Sequence, residues 1–388
     1  VSAKYDPNTQ LAEGGRRMAQ LPTVEDVAQR AGVSRQTVSN VLNSPEIVRD
    51  ATRSRVESAI AELGYRTHAS ARRLRTRQSS TIGVRLDPIS NGISGSILDR
   101  YLHALTEQAD ARGMRIMLFT ATDEADEIAH YERLRDGADV DAFVLSGTHY
   151  DDPRIEWLAR ERMPFVTFGR PWGSEDLNDP ARLWVDVDGQ AGVRMATEHL
   201  IGRGLRRIGY LGWPAGSGTG DDRRLGWESA MAAAFGSDAA DLADLATETQ
   251  EGVPTARRAI EELVRSRTDL EALVCASDSL ALGAMMAVRE AGLPHFPVFG
   301  FDNTPVAQAV GLSSVDQRLA DVAAGTFELL MGATGRRVLP HGSESDDPRH
   351  RLITPQLVVR RSSHLEPVEE AGGTTSGNRA QTEKEQST

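Results

Sequence analysis

Cysteine is nearly missing. Cys275 is the single one in 388 residues, so the chain has no disulfide framework and no cysteine/histidine spacing of the kind that holds a metal. It lies inside the apolar run LVCAS and reads as a buried strand residue in a reducing compartment. Lysine is almost as scarce, with Lys4 and Lys384 standing against 42 arginines, a balance that a GC-rich coding sequence produces. No stretch approaches the roughly 18 consecutive apolar residues of a membrane span, and the polar start carries no apolar signal region. A cytoplasmic location without a membrane partner is therefore expected. The sequence shows no H-E-x-x-H motif and no Ser-His-Asp arrangement, and carboxylate pairs arise by chance in so acidic a chain. Neither catalysis nor a metal nor a cofactor is expected.

The charge that is present is unevenly spread. The net charge of -12 argues against nucleic acid when read as an average. From Leu21 to Gln78, however, 10 arginines face 6 acidic residues, so this stretch carries +4 and the remainder -16. A basic head on an acidic body keeps the larger part from adhering indiscriminately to DNA.

Local signals in the head describe three short helices. Thr23 and Asp26 have the spacing of a capping box, which starts a helix ending near Ala31, and Gly32 is suited to a left-handed C-terminal residue. Val33 supplies an apolar plug, and Ser34 caps a second helix from about Arg35 to Leu42. That helix places Val38, Val41 and Leu42 on one face and Arg35, Gln36, Ser39 and Asn40 on the other. A third helix, from about Asp50 to Leu63, buries Val56, Ala59, Ile60 and Leu63 and stops at Gly64.

The run VEDVAQRAGVSRQTVSNVLN resembles the headpiece of the lactose-repressor family, whose usual pattern is T-x-x-D-V-A-x-x-A-G-V-S-x-x-T-V-S-x-V-(V/L)-N. The resemblance implies a helix-turn-helix domain over 21–65. In it Arg35, Gln36 and Asn40 reach base edges, while Ser34, Thr37 and Ser39 serve phosphates and docking. It also implies a hinge over 66–80, where Ala71, Arg72, Arg73 and Leu74 match the family's minor-groove segment. An apolar wedge such as Leu74 needs a partner wedge across a two-fold axis, so a homodimer on a pseudo-palindromic double-stranded operator is expected. Arg72, Arg73, Arg75 and Arg77 otherwise read as phosphate neutralisers. The chain departs from the family at Thr67 and His68, which replace a Pro-Asn pair.

Beyond the hinge, short apolar strands alternate with amphipathic helices. The strand candidates are TIGVRL, MRIMLFT, AFVLSG, PFVTFG, RIGYLGW, ALVCAS and PVFGF, a pattern that argues for parallel sheets with helices on both faces. The family resemblance continues to about residue 365. It implies a core over 81–365 built of two Rossmann-like lobes joined by three crossovers, as in periplasmic sugar-binding proteins. The first lobe is expected over about 81–183 and 316–338, the second over about 184–315 and 339–365. Residues 1–20 and 366–388 are polar and expected to be disordered, with Met18 a candidate start of the natural chain. No leucine heptads in the tail point to a tetramer.

Ligands of open α/β sheets bind beyond the carboxyl ends of strands, and the informative residues cluster there. By the resemblance, Arg223 of RRLGW matches the family's R-x-x-G-(F/W) arginine and Asp302 of FGFDN its effector-binding aspartate; Arg224 is read as solvated. A guanidinium fork and a carboxylate together hold sugar hydroxyls. Ser277 stands where an asparagine is more common, and Asp278 beside it either caps the next helix or touches ligand. Arg170 and Trp172 in FGRPWG offer a cation beside an indole, and pyranose C–H faces stack on aromatic rings. Trp213 is either a second platform or plain packing. Asn91 and His149 follow strands and are candidates to complete the cleft, although a lone histidine is more often structural. GSGTGDD follows a strand as a dinucleotide loop does, but its alternating glycines and two carboxylates do not fit pyrophosphate.

These readings converge on a ligand-responsive DNA-binding regulator, a repressor of carbohydrate-use genes released by a mono- or disaccharide between the lobes. Two alternatives stay open. One is a regulator that a purine or phosphoprotein corepressor tightens on DNA; the other is a sugar-binding transport component, which fits the lobes but not the head.

Overall fold

The computed structural model describes residues 22–65, 78–86, 95–174, 176–177, 179, 182–236, 242–334 and 349–363. The expected tails, residues 66–77 of the hinge with Ala71, Arg72 and Leu74, and Asn91 lie outside the described residues. The chain divides into two units, Val1–Ser79 and Ser80–Thr388.

In the first unit, α1 (Val24–Ala31), α2 (Arg35–Asn43) and α3 (Asp50–Leu63) enclose a small core of Val27, Ala28, Val38, Val41, Val56, Ala59 and Tyr65. Leu42, Ile60, Leu63 and Val33 are half-buried around it. The Thr23 hydroxyl accepts from the Asp26 amide at 3.3 Å, while the Asp26 carboxylate accepts from the Thr23 amide at 2.7 Å. Gly32 closes α1 with φ 64°, a conformation that costs a residue without Cβ little.

The second unit is built on two six-stranded sheets. The first holds β1 (Thr81–Arg85), β2 (Arg115–Phe119), β3 (Ala142–Leu145), β4 (Phe165–Phe168), β5 (Leu183–Val187) and β11 (His350–Ile353), in the order β11-β5-β4-β3-β1-β2. The second holds β6 (Ile208–Gly212), β7 (Ala246–Glu248), β8 (Ala272–Cys275), β9 (Val298–Phe301), β10 (Ser313–Asp316) and β12 (Gln356–Val358), in the order β12-β10-β9-β8-β6-β7. Every described pairing is parallel except β10 with β12. Strands β3, β8 and β9 are buried along their whole length, because helices cover both faces of each sheet and leave no polar side for alternation. Around the first sheet lie α4 (Gly95–Asp110), α5 (Glu124–Asp136), α6 (Pro153–Arg160) and α12 (Leu319–Ala333). Around the second lie α7 (Gly189–Gly202), α8 (Gly218–Phe235), α9 (Val253–Ser266), α10 (Asp278–Glu290) and α11 (Pro305–Val310).

The chain passes between lobes after β5, after β10 and after β11. This corrects the expected division in two places. β5 belongs to the first sheet, which extends the first lobe to Val187, and β11 joins that sheet although 339–365 was assigned to the second lobe. Both are short strands toward the sheet's edge. β11 is held by parallel pairing to β5 and by His350 stacked on Trp184 at 4.8 Å, contacts that no local periodicity announces.

The two sheets repeat one topology. In each, the strand order reverses between the first and third strand of the lobe, β1/β3 and β6/β8. Such switch points open crevices at the strands' carboxyl ends, and the loops beginning at Ser146, Trp213 and Ala276 leave the sheets there.

Candidate functional site

Arg223 reaches the cleft through the packing of its helix. Ser217 caps α8 by accepting from the Gly220 amide at 3.3 Å. One turn after Arg223, a Cβ on Gly226 would lie 2.2 Å from the Gln190 carbonyl oxygen, so glycine is what lets α8 press against α7. Trp227 then fills the core beneath, fully buried, with its indole N–H donated to the Ile208 carbonyl at 3.1 Å and its ring stacked on Tyr210. The R-x-x-G-W spacing is thus a packing device that fixes one arginine at the carboxyl ends of the strands.

A cavity of about 170 Å³ lies between the lobes. From the first lobe it is lined by Ser146, Thr148, Arg170, Trp172 and Asp186, and from the second by Thr219, Asp222 and Arg223; Gln317, on the crossover after β10, completes it. A larger cavity of about 590 Å³ lies between α9 and α10 on the outside of the second lobe. The smaller one is the candidate site, because it lies at the switch points and is lined from both lobes.

Arg223 is buried, donates from Nη1 to the Ala276 carbonyl and faces Asp302 Oδ1 at 3.7 Å. Its guanidinium carbon stands 3.7 Å over the Phe301 ring and 5.3 Å from Trp213. Its Nε is buried with no hydrogen-bond partner among the described residues, a donor that a ligand oxygen would satisfy. Asp302 sits behind Arg223 rather than on the cavity wall. Its backbone is in the left-handed region, φ 111°, and the first lobe's Arg100 donates to the Asn303 carbonyl at 3.1 Å. Gln317 donates to Asp302 Oδ1 at 2.6 Å. Burial pushes the Asp302 carboxyl up to about 8; Arg223 and Gln317 oppose the rise, while Asp278 and Glu251 add to it.

Arg170 joins the lobes. Its Nε donates to Asp186 Oδ2 at 2.7 Å in the first lobe, and its Nη2 donates to Asp222 Oδ2 at 2.8 Å in the second. Burial alone would lower this guanidinium's pKa, but the two carboxylates outweigh it and hold Arg170 charged. Burial raises the Asp186 carboxyl against the pull of Arg170. Trp172 lies under Arg170, ring to guanidinium carbon 4.5 Å, with its indole N–H buried and unpartnered among the described residues.

The other expected residues are placed differently. Trp213 stands beside Arg223 but off the cavity wall, donating to Glu251 Oε2 at 2.7 Å. Ser277 caps α10 and donates to the same carboxylate at 2.9 Å. Asp278 neither caps nor lines the cavity. It accepts from the Thr304 amide and hydroxyl at 2.7 and 2.8 Å and from the Ser314 hydroxyl at 2.7 Å, tying the segments after β8 and β9 to β10. Burial pushes its carboxyl up to about 6. His149 turns to a separate cavity of about 330 Å³ in the first lobe, hydrogen-bonded to the Glu124 carboxylate and, through Nδ1, to the Tyr150 carbonyl at 2.9 Å. Burial would lower its pKa, but these bonds and the nearby Asp152 raise it. Arg224 is partly exposed and paired with Glu228 and Glu248.

Sequence reasoning passed over Asp186, Gln317, Asp222, Glu251 and Thr148. Asp186 and Gln317 stand within a few residues of the expected lobe boundaries at 183/184 and 315/316, and that position was the signal that could have marked them.

On α2, Arg35 and Gln36 are exposed, and Thr37, Ser39 and Asn40 are half-exposed. Ser34 accepts from the Thr37 amide at 3.1 Å, and Gln36 Nε2 donates to Asn40 Oδ1 at 3.0 Å, which aligns the two amides along one face. Arg35 pairs with Glu25 at 3.1 Å on the surface. Exposed pairs contribute about 0–1 kcal/mol, so DNA can readily replace this one.

Residues 23–68 match the family model of bacterial regulatory proteins of the lacI family, and residues 197–363 that of a periplasmic binding protein-like domain. The chain is 32% identical over 357 residues to the HTH-type transcriptional regulator CelR of Thermobifida fusca, covering 88% of this chain and 98% of that protein. It is 31% identical to the HTH-type transcriptional regulator AglR of Rhizobium meliloti, covering 89% and 95%. A solved complex of the transcriptional regulator CelR with cellobiose superposes with a TM-score of 0.63 at 28% identity, covering 88% of this chain and all of that one.

Proposed function

This chain belongs to the lacI family of bacterial regulatory proteins, and on that premise we propose that it represses carbohydrate-use genes and leaves its operator when a sugar binds between the lobes. The observation that carries the reading is the interlobe cavity, where an arginine with an unpartnered buried Nε, two carboxylates and an indole face one space. Hydroxyl groups both donate and accept, so a polyol satisfies Arg223 and Asp222 together, and a pyranose face can pack on Trp172. The relative whose structure holds cellobiose supports a disaccharide as the first ligand to try.

The protein works as a homodimer in this reading. Sugar favours one lobe arrangement, that arrangement sets the separation of the two hinges, and hinges held apart lose the minor groove. About 100-fold tighter sugar binding to the released state corresponds to about 2.7 kcal/mol of coupling, enough to shift the operator equilibrium. The test is fluorescence anisotropy on an operator from the chain's own upstream region, titrated with mono- and disaccharides, cellobiose included, at fixed salt. One sugar releases the protein, and Arg223→Ala binds operator normally but loses release, with sugar affinity down by about 10- to 100-fold, the worth of one or two charge-assisted hydrogen bonds. Tightening by a purine or by a protein fraction, with no response to any sugar, would replace this reading with a corepressor.

A further inference from the structure

We propose that Arg170 and Asp222 form a latch between the lobes, and that a ligand must open it to enter; the second half rests on the sugar reading above, the first does not. The latch is held from both sides. In the first lobe Asp186 fixes Arg170 Nε, and Trp172 lies against its guanidinium. In the second lobe Asp222 Oδ2 also accepts from the Gln190 amide at 3.0 Å, so its carboxylate is oriented before Arg170 arrives. The arginine and aspartate side chains are only 16% and 10% exposed, and an ion pair so far from solvent is weakly screened by salt.

A second contact runs beside the first. The Trp172 indole packs on Gly218, the first residue of α8, where a Cβ would come within 2.2 Å of the ring. Gly218 of GSGTGDD thus lets an aromatic ring of one lobe lie against the helix start of the other.

Latch and ligand compete for the same groups, since Arg170, Trp172 and Asp222 all line the cavity. At about 170 Å³ that cavity is smaller than the usual span of about 300–1,000 Å³ for sites that take small organic ligands. A ligand two sugar rings long fits only when the Arg170–Asp222 contact parts. Its hydroxyls then donate to Asp222 and accept from Arg170, replacing the ion pair bond for bond. The pair therefore selects by size and hydrogen-bonding capacity, and it makes entry wait on opening.

The experiment measures the lobe separation directly. Spin labels at Glu107→Cys on α4 and Glu262→Cys on α9 report the distance in the full chain, with labelled protomers diluted in an excess of unlabelled ones so that only the distance within a protomer is read; the native Cys275 is fully buried, so it stays unlabelled. Without any sugar, the otherwise native chain should give one narrow distribution. Asp222→Asn, which keeps an acceptor for Gln190, and Arg170→Gln should each broaden it and lengthen its mean, while Arg224→Ala on the same helix should not. Distributions for both latch variants that superimpose on the native one overturn the latch. In stopped-flow mixing with cellobiose or whichever panel disaccharide binds, Asp222→Asn should associate about tenfold faster, because a larger share of molecules is open. An unchanged rate beside a broadened distribution overturns the gating half. Failure of every sugar to bind the native protein sinks the sugar reading and leaves the distance result standing.

Discussion

Arg35 is 71% exposed and pairs with a similarly exposed Glu25, which leaves its guanidinium fork ready for a base edge. A bidentate arginine–guanine contact contributes about 1–3 kcal/mol of discrimination. Arg35→Ala should therefore flatten the preference at one base pair per half-site by that amount in anisotropy titrations over singly substituted operators. A uniform loss across all of them would assign Arg35 to a phosphate instead. Asp302 makes a different kind of prediction. With its carboxyl near 8 in the folded chain against an ordinary 3.8, the folded state holds an extra proton between those values. Its contribution to stability is complete below about pH 4 and is lost as pH rises toward 8. Asp278, near 6, acts with the same sign over the lower part of that window. The core's melting temperature should fall between pH 5.5 and 8.5, and Asp302→Asn should fall less steeply; equal slopes would mean the carboxyl is not protonated when folded.

Helix starts carry much of the chain's local definition. The capping box at Thr23 supplies two reciprocal hydrogen bonds to α1, and the first of these, from the Thr23 amide, holds the Asp26 carboxyl below the usual carboxylate range. Thr23→Ala should cost the three-helix head about 1 kcal/mol, read as a lower melting temperature of the head and weaker operator binding with unchanged sugar affinity. No loss of head stability would show that the tertiary packing of Val27 and Ala28 alone sets the helix. In the core, Ser217 and Ser277 cap α8 and α10 by the single bond that the hydroxyl accepts from a helix amide, without the reciprocal one, and each sits at the carboxyl end of a sheet beside the cleft. The first of these caps starts the helix that carries Arg223, and the second is itself a hydrogen-bond partner of Glu251.

Across the whole molecule, the charge divides with the function: +4 on the stretch containing the head and hinge, -16 on the remainder. Removing residues 1–79 should leave a core that binds sugar with native affinity and no longer binds operator at any salt concentration. A truncated chain that still recognised the operator would move the DNA-binding surface out of the head. Among the described residues no helix is long and apolar enough to cross a membrane.

The head was legible residue by residue because its signals are local. A capping box, a left-handed glycine and apolar spacing all act within a few positions of Thr23, Gly32 and Val38, and the structure has the three helices where these signals put them. The seven apolar strand candidates were legible for the same reason. Strands β5, β7, β10, β11 and β12 were not, because β5, β7, β11 and β12 are defined by pairing at or near a sheet edge and SSVD in β10 is too polar to stand out. The candidate site followed the same rule. Arg223 was found through a spacing that encodes helix packing, whereas Asp222, Asp186 and Gln317 gained their roles only when two lobes and a crossover met around Arg170 and Asp302. Conversely Asp278, His149 and Ser277 had the right local look but were taken up by partners far away in sequence or on neighbouring loops. Short-range hydrogen bonds and burial periodicity are written in consecutive residues; the pairing of buried charges across a cleft is decided by which strands end side by side, and that exists only in the folded chain.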